Sequence, residues 1–300
     1  MLYIAYTPIY RHPLPEGHRF PMEKYSLIRE QLEYEGTCTA ENFFEPQQLS
    51  EEQILRTHHS AYWQKLKSLS LSRQEERRTG FPLSAELVQR ERTINQGTID
   101  NVRLALQYGV AMNIAGGTHH AYAAHGEGFC LLNDFAIAAH AALDRGWVQK
   151  ILIVDLDVHQ GNGTAHLMRD ESRVFTFSMH GAKNYPLRKE KSDLDLPLQD
   201  GCDDAHYLKL LRHTLPALLE KTEPDLILYQ SGVDVLANDK LGRLSLSLQG
   251  CKARDQFVLE QCRHHGVPVA ISMGGGYADR LADIVEAHAN TFRLAQEIFF

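Results

Sequence analysis

The sequence predicts an α/β fold: a single domain over residues 1–300, built on one open parallel sheet with helices on both faces. Three observations lead there. From about residue 110 onward, short continuously apolar runs rich in β-branched residues alternate with helical stretches, the pattern of strands buried on both faces. A length of 300 residues, 43% hydrophobic and 23% charged, suits a globular chain that buries roughly three quarters of its extended surface, and excludes disorder, collagen and coiled coil. No internal repeat, low-complexity tract or Ser/Gly-rich linker divides the chain.

The N-terminal third is irregular. Leu2–Tyr6 reads as a short strand and runs into a loop rich in Pro, His and Gly between Pro8 and Pro21. Helical patterns follow at Met22–Tyr34, Glu51–Leu69 and Ser84–Tyr108, and the Gly and Pro of Arg78–Pro82 mark a loop ahead of the last. The regular part then offers strands at Val110–Ala115, Ile151–Asp155, Val174–Ser178, Leu226–Gln230 and Val267–Ser272. Helices fall between and after them near Asn133–Leu143, Gly163–Met168, Asp203–Lys221, Gln249–His265 and Tyr277–Arg293.

A formal charge of -7 without any block of basic residues argues against direct nucleic-acid binding and leaves open a basic or cationic substrate. No run approaches about 18 apolar residues, and Met1–Arg11 lacks the basic and apolar segments of a secretory leader. The expectation is a soluble cytoplasmic protein that enters no membrane, of open oligomeric state. The five cysteines (Cys38, Cys130, Cys202, Cys251 and Cys262) are scattered and form no CxxC pair, so neither a disulfide framework nor a zinc ribbon is indicated. Sixteen histidines is a high number; chance and surface positions account for His58, His206, His213, His264, His265 and His288, and the interest lies in where the rest cluster.

Ligands of an open parallel sheet bind outside the carboxyl ends of its strands. The residues that follow each predicted strand are Gly116-Gly117-Thr118-His119-His120, Asp155-Leu156-Asp157-Val158-His159-Gln160-Gly161-Asn162-Gly163, Ser178-Met179-His180, Ser231-Gly232-Val233-Asp234 and Met273-Gly274-Gly275-Gly276-Tyr277. Five successive strand ends carry chemistry-bearing residues, while the opposite loops are ordinary solvated sequence.

Asp-x-Asp-x-His is the most specific of these. If the strand persists past Asp155, residues 155, 157 and 159 share a face at period two, and two carboxylates with an imidazole are costly to bury without a cation. The donor set suits zinc, or less selectively Fe(II) and Mn(II), with Asp234 as a remote third ligand and an open fourth position. The plainer reading is that Asp155 and Asp157 cap the next helix. His119 and His120 read either as caps or as a general acid/base pair. Tyr277, behind three glycines, is either a core tyrosine or a donor to a developing oxyanion. Gly161-Asn162-Gly163-Thr164 opening a helix after Asp-x-Asp also suits a phosphotransferase of the haloacid-dehalogenase type, although half the chain precedes the motif and such an enzyme has no use for His119-His120 or Tyr277.

Taken together, these residues resemble the histone deacetylase family of the arginase–deacetylase superfamily, and bacterial proteins related to its class IV most of all. The resemblance runs through Pro15–Tyr25, Gly116–Asp134, Ile153–Ala165, Ser178–Pro186, Ser231–Gly242 and Met273–Tyr277. It implies an arginase/deacetylase-like fold with Asp157, His159 and Asp234 as zinc ligands, Fe(2+) being the other candidate metal. It further implies His119 and His120 as the paired histidines, His120 as general base and acid, Asp155 as partner of the first and Tyr277 as the carbonyl-polarising tyrosine. Gly128, Phe129, Tyr185 and Gly275 would contact substrate, Gly128-Phe129 and Tyr185 as walls of an acyl-lysine channel. A structural K(+) would take Asp155 and Ser178 with backbone carbonyls of Asp157, His159 and Met179.

Two departures from the family pattern bear on the chemistry. Asn162 stands where class I members carry an Asp beside the second histidine, as in classes II and IV, which implies a less basic His120. Leu236 stands where arginases place a further metal-binding Asp, which implies one catalytic metal. The expected function is zinc-dependent hydrolysis of the Nε-acyl-lysine amide, acetyl or longer fatty acyl, in proteins or peptides. The alternatives are an amidohydrolase of small acylated amines such as acetylpolyamines, and a non-catalytic acyl-lysine binder, which would need neither general base nor oxyanion donor.

Overall fold

A computed structural model describes all 300 residues. The core strands form where the sequence is continuously apolar: β3 (Val110–Asn113), β4 (Ile151–Asp155), β7 (Leu226–Gln230) and β8 (Val269–Ser272) are buried at every residue. Around them lie β1 (Tyr3–Ala5), β2 (Phe43–Phe44), β5 (Val174–Gly181) and β6 (Leu194–Leu198). All eight strands join one sheet in the order β2-β1-β3-β8-β7-β4-β5-β6, and every pairing is parallel. The chain builds outward from β4 to β6 and then returns, so β7 and β8 fill the middle last. Four central strands, β3, β8, β7 and β4, therefore end side by side.

Helices cover both faces, as such a sheet requires. α5 (Ala85–Tyr108) lies along β1, β3 and β8 and packs on α6 (Asp134–Asp144), which meets α7 (Asn162–Met168). The other layer is a row in which α1 (Lys24–Tyr34) packs on α10 (Leu281–Phe299), α10 on α9 (Leu248–His265) and α9 on α8 (Asp204–Thr222). Side-chain caps start several of these helices: Ser84, Asn133, Asp203 and Ser247 each accept from the N–H three residues on, satisfying one of the free donors of the first turn.

The expected helix Glu51–Leu69 is two helices, α2 (Glu51–Leu55) and α3 (Ser60–Lys67). The break is tertiary, because the His59 N–H leaves the helix to donate to the Ala123 carbonyl at 2.8 Å. α4 (Arg73–Thr79) lies where no helix was expected, although its Ser72/Glu75 capping box is readable in the sequence. β6 was missed because Pro197 and Asp195 argue against a strand; both are tolerated on a sheet edge. The final helix starts at Leu281 rather than Tyr277, since Asp239 captures the Tyr277 N–H at 2.6 Å.

His58 and His288, expected at the surface, are buried. His58 joins two loops: its Nδ1 donates to the Tyr122 carbonyl at 2.9 Å and its Nε2 accepts the Asn133 N–H at 3.0 Å. Burial pushes it down to about 4. The unfolded chain takes up this proton below about pH 6.5, so as pH falls toward 4 the folded state loses stability, by up to roughly 3 kcal/mol. His58→Gln should shrink the loss of melting temperature between pH 7 and pH 5. Equal losses in variant and parent would remove His58 from the acid response.

Candidate active site

The ends of the four central strands converge on Asp157, His159 and Asp234. β4 runs into the loop that carries the first two, and β7 into the loop that carries the third. One potential ligand atom from each lies within 4.8 Å of the others, and all three residues are buried. The His159 ring sits between the carboxylates, its Nδ1 3.0 Å from Asp157 Oδ1 and 3.1 Å from Asp234 Oδ2. Each carboxylate is held from outside by a backbone donor: the Gly275 N–H reaches Asp157 Oδ2 at 2.8 Å, and the Val158 N–H reaches Asp234 Oδ1 at 2.9 Å.

Electrostatics suit this cluster to a cation. Burial and the neighbouring Asp157 push Asp234 up to about 7. Against the cost of burial, hydrogen bonds and charge from Asp157 and Asp234 lift His159 to about 10. Two facing buried carboxylates need a positive charge between them. A proton on His159 supplies one in the protein alone; a divalent cation supplies more and displaces that proton. Two carboxylates and an imidazole on a three-ligand site match a catalytic zinc centre, which keeps a fourth position open.

His119 and His120 stand beside this centre on the loop after β3. The His119 Nδ1 donates to Asp155 Oδ2 at 2.7 Å, its Nε2 lies 3.1 Å from His120 Nε2, and the His120 Nδ1 is 2.6 Å from Asn162 Oδ1. The Asn162 amide nitrogen donates to Glu127 and to the Tyr122 hydroxyl, which turns its carbonyl oxygen toward His120. His120 therefore carries its proton on Nδ1. The two rings are driven apart: burial opposes charge on His119 but Asp155 outweighs it and raises the ring, whereas burial together with His119 and His159 pulls His120 well below the usual range. Such a split separates an electrostatic partner from a neutral base.

Tyr277 lines the space above the ligands and the outer cleft, with Phe20 edge-on and Phe129 tilted, both at 5.9 Å. Phe129 and Tyr185 both line the outer cleft, and the Tyr185 ring meets His120 edge-on at 5.0 Å while its hydroxyl donates to Glu127. Gly128 is required by its close approach, since a Cβ there would stand 2.6 Å from the His120 ring. Gly275 backs onto the carboxylates, and a Cβ there would fall 2.0 Å from Asp234 Oδ2. Asp155 and Ser178 sit side by side in register across β4 and β5, the latter followed by Met179. Every residue singled out from the sequence thus lies at one end of the sheet.

Several supporting residues were not singled out. Asp134, at the start of α6, accepts from the Gly117 and Thr118 N–H groups and from the hydroxyls of Thr98, Thr118 and Ser272, fixing the turn that presents His119 and His120. Arg254 on α9, wholly buried against Asp255, donates to the Leu156 and Gly232 carbonyls and so ties together the two ligand-bearing loops. Gln230 donates to the Gly117 carbonyl at 3.2 Å. Lys24 on α1 is buried, donates to the Gly274 carbonyl at 3.3 Å, and is pushed down to about 8 by burial despite Asp234 and Asp157 nearby. Only Asp134, an acid in the first turn of α6, left a local trace in the sequence. Asp134→Ala would strand two buried backbone donors, at about 1–3 kcal/mol each, so urea unfolding should show a loss of several kcal/mol. A loss within the error of the fit would show that the turn holds without it.

A model of the "Histone deacetylase domain" matches residues 18–292. An uncharacterized protein of Picosynechococcus is 44% identical over 296 residues, 99% of each chain. Histone deacetylase 2 of Arabidopsis thaliana is 30% identical over 277 residues, covering 89% of this chain and 72% of its own. Among solved structures, the HDA15 HD domain superposes with a TM-score of 0.83 at 19% identity, over 99% of this chain and 88% of its own. An HDAC homolog complexed with SAHA gives 0.84 at 23% identity, over 99% and 83%.

Proposed function

The chain belongs to the histone deacetylase family of hydrolases, and we propose that it hydrolyses the amide bond of Nε-acyl-lysine in proteins or peptides with zinc held by Asp157, His159 and Asp234. The observation that carries this reading is a neutral His120, its Nδ1 committed to Asn162, standing beside the three-ligand cluster in a cleft that also contains Tyr277. When bound, the metal would polarise the amide carbonyl and lower the pKa of water toward about 7.

The chain's own residues do the rest. His120 exchanges its Nε2 contact with His119 at 3.1 Å for the attacking water, takes the water's proton there and returns it to the departing amine. His119, braced by Asp155, stays charged and steadies the developing negative charge. The Tyr277 hydroxyl donates to the carbonyl oxygen as it becomes an oxyanion. Phe129 and Tyr185 flank the alkyl stem of the lysine. K(+) at Asp155 and Ser178, with the carbonyls of Asp157, His159 and Met179, belongs to the same proposal.

Free space beside Asp157 and His159 amounts to about 40 Å3, lined also by Tyr25, Arg90 and Ile94, on the scale of a methyl or ethyl group rather than a fatty chain. One lysine peptide bearing acetyl, octanoyl or myristoyl groups, given to zinc-reconstituted protein, tests both statements. Hydrolysis should be fastest for acetyl. No hydrolysis of any of the three with zinc bound stoichiometrically would overturn the reading, and a myristoyl preference would overturn the size argument alone.

A further inference from the structure

The outer cleft that leads down to His120, His159 and Tyr277 measures about 550 Å3. Arg19, Arg77, Arg78, Lys183 and Arg243 line it, and no Asp or Glu does. All five are exposed. Little neutralises them: Lys183 and Arg243 share the single carboxylate of Asp200, at 3.6 and 3.4 Å, and the Arg19 guanidinium lies over the Phe129 ring at 5.1 Å. The acids on the helix that bears Arg77 and Arg78 are otherwise engaged, Glu75 with Lys65 and Glu76 with the Leu83 N–H. A chain of net charge -7 thus surrounds its site with positive charge, the reverse of what its overall composition suggests.

Resting on the amidohydrolase reading above, we propose that this rim selects acyl-lysines set in acidic peptide segments. Backbone and side-chain contacts set Arg78 beside Gly128 and Asn184 beside Leu241, which gathers Arg77 and Arg78 near Phe129 and Lys183 and Arg243 near Tyr185, so a peptide whose lysine enters the cleft between Phe129 and Tyr185 would meet both groups. A field of one sign in a cleft raises the local concentration of opposite charge and the rate of its capture, and like charge at the rim excludes wrong partners. Lysine-rich segments and acylated polyamines, which carry further ammonium groups, meet repulsion here. The space also exceeds one amino acid, and Leu187, 93% exposed, and Tyr185, 40% exposed, offer apolar surface for neighbouring residues.

Three fluorescent peptides of equal length, with one acetyl-lysine flanked by Glu, by Ala or by Lys, separate this proposal from the one beneath it. Binding to the zinc-loaded protein is read by anisotropy and hydrolysis by product release, each at low and at 0.5 M salt. The Glu peptide should bind at least about tenfold more tightly than the Lys peptide, with the difference collapsing at high salt, and the double substitution Arg77→Glu with Arg78→Glu should abolish the preference. Equal binding of all three would overturn the inference while leaving the amidohydrolase reading intact if any is hydrolysed. Charge-ordered binding abolished by the double substitution, without hydrolysis of any peptide, would sustain the rim's selectivity and overturn the amidohydrolase reading. Displacement of the Glu peptide by a single-stranded oligonucleotide at lower concentration than by the unlabelled peptide would overturn the peptide assignment.

Discussion

Tyr277→Phe should lower turnover of an acetyl-lysine peptide by about 100- to 1000-fold, the range found when a single oxyanion donor is removed, without changing zinc content or melting temperature. The stability statement follows from the packing: the ring meets Phe20 and Phe129 through its carbon framework, and its backbone N–H is bound by Asp239, none of which a Phe alters. The activity statement follows from position, because the side chain lines both the space around the ligands and the cleft above it. A variant that keeps its rate would take Tyr277 out of the mechanism. One that loses zinc would make its role structural.

Asp234→Asn should move function and stability in opposite directions. The Asn carbonyl oxygen still accepts the Val158 N–H, so the loop keeps its shape. Burial and Asp157 hold the Asp234 carboxyl up near 7, far above its unfolded value of about 3.9. A carboxylate with a raised pKa costs stability increasingly above that unfolded value, and the cost is complete once pH passes the folded one. At pH 8 the metal-free variant should therefore melt several degrees above the metal-free parent, while zinc affinity falls at least about 100-fold, more than the loss of a merely supporting group. A lower melting temperature would mean that the carboxylate stabilises the fold without a cation. Retained stoichiometric zinc would take Asp234 out of the metal site.

Both predictions concern residues legible in the sequence, for one physical reason. Parallel strands buried on both faces must be continuously apolar, so the positions where Asp155, His119, Asp234 and Tyr277 interrupt or follow such runs are visible without coordinates. The supporting residues were not legible in this way. Arg254 lies on α9, and nothing within that helix says that its guanidinium reaches the carbonyls of Leu156 and Gly232. His58 reads as a polar residue inside a helix and proves to be a buried link between two loops. Phe129 was visible as an aromatic after glycine, but its place beside Tyr277 and in one cleft with Tyr185 depends on loops that are distant in sequence.

By itself, the sequence determined the α/β class, most strands and helices, and the residues gathered at one end of the sheet, because periodicity and strand-end chemistry are local properties. Only the tertiary structure decided that β7 and β8 enter between β3 and β4, that Glu127 and Tyr122 turn the Asn162 carbonyl oxygen toward His120, that the space beside Asp157 and His159 is small, and that the mouth is positive. Those outcomes depend on which distant segments pack together. A net charge of -7 is a sum over the whole chain, and the field at the cleft depends on where five cations fall once the loops that carry them have been folded against the sheet.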